Sequence, residues 1–263
     1  MSFPEKFVVA DVETTGLQAL LFRVIEIAYV VIQNDDWSKF EIRTYRFTPG
    51  AEDLRAASPK ALEVNGYRPG HPDWQGAPMC GSPEAAEAWA AIRDDLRGAV
   101  MCNQNIPFDK GFIWHEIVRH RVQPHGDLPY SHDTMPDDCG IWERHHDEVM
   151  AYSRLLADRD GRKKYNLAVG YESLQGRPLP PHRAEADVLR ALWVYAWGIE
   201  PHQPARAEAI RKAVIGWISR ARASETVSLV PEEAALAAPL LQHVDNGPSA
   251  PAEPFHAPRI LLP

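Results

Sequence analysis

The sequence predicts an α/β protein in which helices pack against a mixed β-sheet of antiparallel hairpin strands and parallel strands. Two observations favour this class. Apolar, β-branched segments come first and are separated by short turn sequences, which is typical of hairpins. Further along the chain, a short apolar segment alternates with amphipathic helices. The length of 263 residues and the hydrophobic content of 45% suit one generous domain, or one domain with an extension.

Three strands are predicted in the first part of the chain. The continuous apolar run over residues 7–10 suits a strand that is covered on both faces. Residues 24–32 form a second apolar run, and residues 41–47 alternate as a third strand. The segment 34–36 (Asn-Asp-Asp) has the composition of a turn, so these strands are expected to form antiparallel hairpins.

Helix signals follow the hairpins. Ser58-Pro59 starts a short helix, and Ser82, followed by Pro83, is the N-cap of a longer one that stops at Gly98. The remaining predicted elements are a buried strand over 99–102, helices over 108–121 and 184–197, a helix in two pieces over 153–174, and a helix over 204–223. Gly198 and Pro201 are expected to end the 184–197 helix, and the proline-rich segment 247–263 is expected to be unstructured.

Charge and cysteine content restrict the class of function. The net charge of −8 argues against a general nucleic-acid coat protein, which would be basic, but it does not exclude an enzyme that meets phosphate through bound metal ions. Cys80, Cys102 and Cys139 form no CxxC pair, which is consistent with a reducing compartment. The sequence shows no basic leader and no apolar run long enough for a membrane span, so we expect a cytoplasmic protein.

The most informative segment directly follows the first apolar run. Asp11 and Glu13 lie two residues apart and project to the same side of an extended strand. Their carboxylates repel each other unless a positive charge lies between them, and hard divalent cations bind such oxygen ligands. A metal site is one interpretation, and an acidic strand end in which Asp11 caps backbone groups is the other.

Two further acidic segments occur downstream. Asp109 follows the 99–102 strand in Asn-Gln-Asn-Ile-Pro-Phe-Asp and lies near the start of a helix, where the helix dipole alone favours an acid. His182 lies in a loop before an apolar helix, and Asp187 lies one turn into that helix. In isolation, Asp109 is better explained as an acid that the helix dipole favours, and His182 with Asp187 as a surface histidine beside a capping acid.

Taken together, the three segments indicate a family. Asp-x-Glu-Thr-Thr-Gly after the first strand, Asn-x-x-Phe-Asp after a later strand, and His-x-Ala-x-x-Asp at the start of a helix occur here in one order. This order resembles the DEDD (DnaQ-like) superfamily of 3′–5′ exonucleases, in the branch with a catalytic histidine. The resemblance covers roughly residues 6–198 and implies a ribonuclease H-like sheet. It also implies an exonuclease domain over 1–200. Beyond that domain, the sequence pattern predicts a C-terminal helix over 201–225 and a flexible Ala/Leu/Pro-rich tail over 226–263.

The resemblance implies the roles of five residues. Asp11 would bridge two divalent cations, Mg²⁺ or Mn²⁺, Glu13 and Asp187 would complete one metal site, and Asp109 would act partly through water. His182 would be the general base. Such chemistry needs these residue types, because two cations held by carboxylates activate water and stabilise the leaving oxygen, and a neutral imidazole accepts the proton.

The resemblance also implies the substrate-binding positions, which are Thr14, Gly16, Leu17, Asn105 and Phe108. Two positions depart from the family pattern. Gln104 stands where the family commonly has a histidine, and Gln18 stands where an acidic residue is frequent. We expect altered local hydrogen bonding at Gln104, with the catalytic residues all present.

These observations lead to one main hypothesis with alternatives. The main hypothesis is a metal-dependent 3′–5′ exonuclease that acts on single-stranded DNA ends. An exoribonuclease or oligoribonuclease remains open, because the same residues serve both nucleic acids. A polymerase-associated proofreading subunit that docks through residues 204–263 is a third interpretation.

Overall fold

The computed structural model describes residues 4–122, 145–146, 148–161, 167 and 183–223. The strands are β1 (Lys6–Thr14), β2 (Val24–Gln33), β3 (Ile42–Arg46), β4 (Val100–Cys102) and β5 (His145–His146). The helices are α1 (Ala51–Ala56), α2 (Pro59–Val64), α3 (Pro83–Leu96), α4 (Ile106–Arg119), α5 (Glu148–Arg159), α6 (Ala184–Ile199) and α7 (Pro204–Ala223).

The strands form one mixed sheet in the order β3-β2-β1-β4-β5. Strand β1 pairs antiparallel with β2, and β2 pairs antiparallel with β3. Strand β4 pairs parallel with β1 on the other side, and β5 extends the sheet parallel to β4. The predicted mixed sheet, flanked by helices, is therefore confirmed. Asn34 and Asp35, at the predicted β2–β3 turn, have φ angles of 52° and 59°, a region in which Asn and Asp are the most tolerated non-glycine residues.

The sheet has a core on each face, because successive side chains of β1 point to opposite sides. Val8, Ala10 and Val12 are buried against α3 and α4. Phe7 and Val9 are buried on the opposite face, against α6 and α7. The alternation continues beyond the apolar residues, so the next side chains on the α6 face are acidic.

Several elements differ in extent from the sequence prediction. Strand β1 continues to Thr14, so its acidic residues lie within the strand rather than after it. Helix α4 begins at Ile106 instead of 108, since Pro107 fits the first turn of a helix. Helix α5 begins at Glu148, five residues before the predicted start. The second predicted piece of the 153–174 helix and the 247–263 segment lie outside the described residues.

The expectation that Gly198 ends its helix is wrong. Helix α6 continues through Gly198 to Ile199. A Cβ atom at this glycine would overlap the ring of Tyr152 on α5. The glycine therefore permits a close approach of two helices, which explains its place inside a helix despite its low helix propensity.

Helix α7 packs on the same core as α6. Ala207, Ile210 and Val214 are fully buried in the cluster that contains Phe7 and Val9. The guanidinium of Arg206 binds both carboxylate oxygens of Asp35, with its Nε 2.9 Å from Oδ2. The division into a domain over 1–200, a helix over 201–225 and a tail stays a prediction. Within the described ranges, every helix is too short or too polar to cross a membrane.

Candidate active site

Two strand carboxylates and one helix carboxylate come together at one end of the sheet. Asp11 and Glu13 follow Val9 on the face of β1 that packs against α6. Asp187 lies in the first turn of α6. Ligand oxygens of these three residues lie within 4.8 Å of one another. The same-side geometry expected for Asp11 and Glu13 is therefore present, and α6 brings the third acid to it.

Asp109 reaches this site from the other side of β1. It is buried in the first turn of α4. The side-chain amide of Asn103 donates a hydrogen bond to Asp109 Oδ2 at 2.9 Å. Asn103 also pairs with the backbone of Ala10, accepting from its N–H at 2.9 Å and donating to its carbonyl. Asn103 thus fixes the start of α4 to the middle of β1, beside Asp11.

The pKa values of Asp11 and Glu13 are raised, which means that the cluster disfavours negative charge. Burial raises the pKa of Asp11 well above its usual range, and the nearby charges of Asp187 and Asp109 raise it further. Burial likewise raises the pKa of Glu13 to about 8, with further contributions from Asp187 and Glu26. Both carboxylates therefore need a neighbouring positive charge to be fully ionised near neutral pH.

Asp109 behaves in the same way with a smaller shift. Burial raises the pKa of Asp109 to about 7, although the hydrogen bonds from Asn103 and from the Val12 N–H oppose the shift. Those hydrogen bonds favour the ionised form and orient the carboxylate at the same time. The charge of Asp109 acts on Asp11 and Glu13, but the described ligand oxygens that lie within 4.8 Å of one another are those of Asp11, Glu13 and Asp187. A ligand role for Asp109 therefore stays a prediction.

One cation of the protein already meets the cluster. Arg190, which is buried on α6, places Nη1 2.6 Å from Asp187 Oδ1. The spacing is i, i+3 on one helix face. This pair restricts the orientation of the Asp187 side chain. The carboxylates of Asp11 and Glu13 on β1 lie near the same side chain.

Glu26 is a further carboxylate near the cluster, and it is fully buried. It lies opposite Glu13 across the β1–β2 pair, and its side chain is 1% exposed. Its Oε2 accepts a hydrogen bond from Arg46 Nε at 2.9 Å, and its Oε1 accepts one from the Ala184 N–H at 3.2 Å. Glu26 therefore caps helix α6 from a neighbouring strand. The signal in the sequence is a single acid inside an otherwise apolar strand.

The other predicted catalytic residue, His182, lies outside the described residues. Its neighbour Arg183 is described, and precedes the first residue of α6. The guanidinium of Arg183 is engaged by Glu26 and Asp73.

The predicted substrate positions after β1 have different environments. The Thr14 hydroxyl is buried and donates to the Gly16 carbonyl at 2.6 Å. Gly16 packs so closely on the ring of Phe22 that a side chain would overlap it. Leu17 is 78% exposed. The loop also exposes Leu20 and Leu21, by 50% and 59%, so it presents three apolar side chains to solvent.

That loop is held by charges on α4. Arg119 donates to the carbonyls of Ala19, Leu20 and Phe22, with distances of 2.6–2.7 Å. The buried Glu116 joins Arg119 to Arg23, whose Nε lies 2.8 Å from Oε1. The hydrogen bonds of Arg119 thus hold the backbone of the loop that carries Leu17.

The remaining predicted substrate positions lie at the start of α4. Asn105 is the exposed N-cap residue, and the half-buried ring of Phe108 packs on Phe112 with centroids 4.8 Å apart. Gln104, which departs from the family pattern, accepts a hydrogen bond from the Ser153 hydroxyl at 3.0 Å. The substitution therefore makes a contact with α5 in place of the family's histidine.

The donor set of the cluster fits hard divalent cations. Its ligands are carboxylate oxygens, which Mg²⁺ and Mn²⁺ prefer. Burial and the charges of the neighbouring acids raise the pKa values of Asp11 and Glu13, and a bound cation would favour the ionised form of both. An acidic cluster on the central strand of a mixed sheet is a candidate site for divalent cations.

Sequence comparison gives the family. The sequence profile of the exonuclease family (RNase T) matches residues 8–195. The chain belongs to this exonuclease family, within the DEDD superfamily. No curated protein sequence matches the chain.

The fold is similar to that of solved exonuclease I structures. A structure described as suggesting how exonuclease I achieves processivity aligns with a TM-score of 0.56 at 16% identity, over 78% of this chain and 42% of that one. The zinc-bound Escherichia coli exonuclease I–ssDNA complex aligns over the same shares, with a TM-score of 0.54 at 16% identity. The E. coli enzyme in complex with a dT13 oligonucleotide also gives 0.54 at 16% identity, over 76% and 42%. This chain thus spans less than half the length of those proteins.

Proposed function

We propose that this protein is a 3′–5′ exonuclease that uses two divalent metal ions to hydrolyse single-stranded DNA from its 3′ end and releases nucleoside 5′-monophosphates. The observation that carries the proposal is the cluster of Asp11, Glu13 and Asp187, whose ligand oxygens lie within 4.8 Å of one another. Membership of the exonuclease family supports the class of reaction.

The carboxylates of Asp11, Glu13, Asp109 and Asp187 would hold the ions, with Asp11 between the two sites. Mg²⁺ is favoured and Mn²⁺ is the alternative. The bound ions would supply a hydroxide at neutral pH and would stabilise charge on the leaving oxygen. Asn103, Arg190 and the β1–β2 pairing hold the four acids in place, so little reorganisation is needed when metal binds.

His182 would be the general base. A neutral imidazole has an ordinary pKa of about 6.5, so it can accept the proton of the attacking water near neutral pH. His182 directly precedes Arg183 in the sequence, and Asp187 lies in the first turn of the helix that follows. This closeness in sequence supports the role. The assignment to the histidine branch of the superfamily depends on this residue.

Leu17 would contact the 3′-terminal nucleotide, together with the backbone around Thr14 and Gly16. The exposure of its apolar side chain, in the loop that follows β1, supports this contact. Asn105 and Phe108, at the start of α4, would line the same groove. The solved complexes of E. coli exonuclease I with ssDNA favour DNA over RNA as the substrate.

The test is degradation of matched DNA and RNA single strands, each labelled at the 5′ or the 3′ end, in the presence of Mg²⁺. We expect early release of the 3′ label as a mononucleotide, a ladder of 5′-labelled products, and faster degradation of DNA than of RNA. Asp11→Ala is expected to abolish the reaction, and Asp36→Ala, an acid on the β2–β3 turn, serves as the matched control. Activity that persists in excess chelator, or first release of the 5′ label, would contradict the mechanism. Faster degradation of RNA would contradict the DNA preference.

Docking on a DNA polymerase through residues 204–263 stays a prediction. Helix α7 packs its apolar face on the exonuclease core, so a partner would contact the outer face of α7 or residues 224–263. A chain that ends at Ser224 tests the second of these, because such a partner should then be lost while nuclease activity on free ends survives.

A further inference from the structure

The first turn of helix α6 is attached to strand β2 by one buried carboxylate. Helix α6 begins at Ala184, whose backbone N–H donates to Glu26 Oε1 at 3.2 Å. Glu26 is fully buried on β2. We propose that Glu26 is a positioning residue for the metal site: by holding the start of α6, it keeps Asp187 within reach of the two acids of β1. This inference rests on the proposed function, in which Asp187 is a metal ligand.

Glu26 lies beside the cluster that it would serve. Glu26 and Glu13 are directly opposed across the antiparallel β1–β2 pair. Side chains of opposed residues lie on the same side of a sheet, with Cβ atoms about 4.5–5.5 Å apart. The pair of sheet positions that carries an acid of the cluster on β1 therefore carries the contact with α6 on β2.

The geometry of the helix relates the position of Ala184 to that of Asp187. The two residues are three apart, so they lie on one face of the helix and about 4.5 Å apart along its axis. The Asp187 N–H donates to the Arg183 carbonyl at 3.0 Å, which closes this first turn. A displacement of the helix start from β2 would therefore move Asp187 with it.

Glu26 also holds the residue that precedes the helix. Arg183 Nη2 lies 3.4 Å from Glu26 Oε2, and Arg183 Nη1 pairs with Asp73. Glu26 is itself oriented by Arg46 on β3, whose Nε donates to Oε2 at 2.9 Å. The same carboxylate thus binds the side chain of Arg183 and the backbone of Ala184, so the helix start is held at two points.

The apolar contacts of α6 provide less precision than this carboxylate. Val188 and Leu192 are buried in the core that contains Val9 of β1. Burial of apolar surface is non-directional, so it holds a helix against a sheet without strongly selecting one position along it. A hydrogen bond to a backbone N–H depends on both distance and angle, and it therefore selects that position.

The test is calorimetric titration of Mn²⁺ into the protein, without nucleic acid, for Glu26→Ala and Glu116→Ala. Glu116 is a matched control, because each of the two side chains is 1% exposed, binds two arginines and accepts a hydrogen bond from one backbone N–H at 3.2 Å. Glu116 belongs to α4, which packs on the opposite face of the sheet. We expect Glu26→Ala to weaken Mn²⁺ binding by about 10–100-fold, and Glu116→Ala to change it by less than about threefold.

Glu26→Gln separates the position of the helix from the charge of Glu26, which also acts on Asp11 and Glu13. The amide is uncharged and keeps an oxygen that accepts hydrogen bonds, so it is able to hold the Ala184 N–H. We expect Glu26→Gln to retain the Mn²⁺ affinity of the wild type within about threefold. An equal loss in Glu26→Gln and Glu26→Ala would overturn the proposal, because the lost charge would then account for the effect.

Ala184→Pro removes the same hydrogen bond while every charge is kept. Proline suits the first position of a helix, and Arg183 before it has φ −128° and ψ 122°, a conformation that suits a residue preceding proline. This variant should reproduce the loss of Mn²⁺ affinity, and it replaces Glu26→Ala if that protein does not fold. Wild-type affinity in either variant, or an equal loss in Glu116→Ala, would overturn the proposal.

A double-mutant cycle shows whether Glu26 acts through Asp187. Glu26→Ala introduced into Asp187→Ala should weaken Mn²⁺ binding no further, because the ligand that it positions is already absent. An equal loss in both backgrounds would overturn the proposal. If Asp187→Ala binds Mn²⁺ as tightly as the wild type, the proposed metal site itself is wrong. If Asp187→Ala weakens binding while Glu26→Ala does not, only the positioning role is wrong.

Discussion

The side-chain amide of Asn103 is buried and connects strand β1 to Asp109 of the candidate active site. It satisfies both backbone groups of Ala10 and donates to Asp109. We expect Asn103→Ala to cost about 1–3 kcal/mol in the free energy of unfolding, because it leaves buried polar groups without a partner. Loss of the contact to Asp109 should lower kcat by about 10–100-fold. Urea unfolding and initial rates of 3′-label release measure the two effects.

The prediction for Asn103 needs a variant that loses stability without losing the contact. Val214→Ala on α7 is such a control, because Val214 is buried in the core on the face of the sheet opposite α4. If Asn103→Ala and Val214→Ala lower activity equally at equal loss of stability, Asn103 has no specific role in positioning Asp109.

The raised carboxyl pKa values predict how the metal-free protein responds to pH. Glu13 and Asp109 have pKa values of about 8 and about 7 in the folded chain, against ordinary values of 4.5 and 3.8. The folded state therefore binds more protons than the unfolded state between these limits, and stability falls as pH rises. We expect Tm in excess chelator to fall between pH 5.5 and pH 8.5, by about 2–4 °C for each kcal/mol lost.

Metal should reverse this trend. Mg²⁺ or Mn²⁺ displaces the protons from the carboxyl groups, so the gain in Tm on adding metal should be larger at pH 8.5 than at pH 5.5. Glu13→Gln, which cannot ionise, should show a flatter dependence of Tm on pH. A Tm that rises with pH in excess chelator would contradict the assignment.

Helices α5 and α6 approach each other at Gly198, which provides a prediction for this pair of elements. A methyl group at this position would overlap the ring of Tyr152. We expect Gly198→Ala to destabilise the fold by about 1–3 kcal/mol, the usual cost of overpacking, in spite of the higher helix propensity of Ala. Gly216→Ala on α7 is the control, because the added Cβ meets only the flexible end of Arg220 at 3.4 Å. Thermal unfolding of both variants measures the difference, and an equally stable Gly198→Ala would show that Tyr152 moves freely.

The secondary-structure elements differ in how far they can be predicted from the sequence. Strands β1 and β2 and helix α6 carry continuous or periodic apolar residues, so their existence follows from the pattern alone. Strand β5 has only two residues and exists through its pairing with β4, which no local pattern shows. Gly198 reads locally as a helix end, and only its contact with Tyr152 explains why the helix continues.

The residues of the candidate active site likewise differ in whether they can be predicted from the sequence. The order of Asp11, Glu13, Asp109 and Asp187 in the chain is enough to suggest the cluster, because each acid occurs next to a recognisable strand or helix start. The residues that orient the cluster could not be chosen in this way. Asn103 and Glu26 act across the fold, on partners 93 and 158 residues away in sequence, and such pairings exist only in three dimensions.

Two truncations, one before α7 and one after it, test what the C-terminal part of the chain contributes. Helix α7 buries Ala207, Ile210 and Val214 in the core shared by β1 and α6, and its Trp217 donates to Glu185 on α6 at 2.8 Å. Each fully buried Ile or Val contributes about 1.5–3 kcal/mol, so loss of α7 removes much of a total stability of about 5–15 kcal/mol. We expect a chain that ends at Gln203 to be unfolded or to lose more than about 10 °C in Tm, and to lose exonuclease activity with it.

A chain that ends at Ser224 should behave differently, because it keeps every described contact of α7 and the whole segment, residues 8–195, that matches the exonuclease family. Its Tm should lie within about 2 °C of the full chain, since mutational changes away from packed sites are usually within about 0.5 kcal/mol. Its rate on free single-stranded ends should be unchanged. Circular dichroism melts and initial rates compare the three chains. A chain ending at Gln203 that folds and cuts like the full protein would show that α7 is an appendage, and loss of activity on ending the chain at Ser224 would show that residues beyond it belong to the exonuclease.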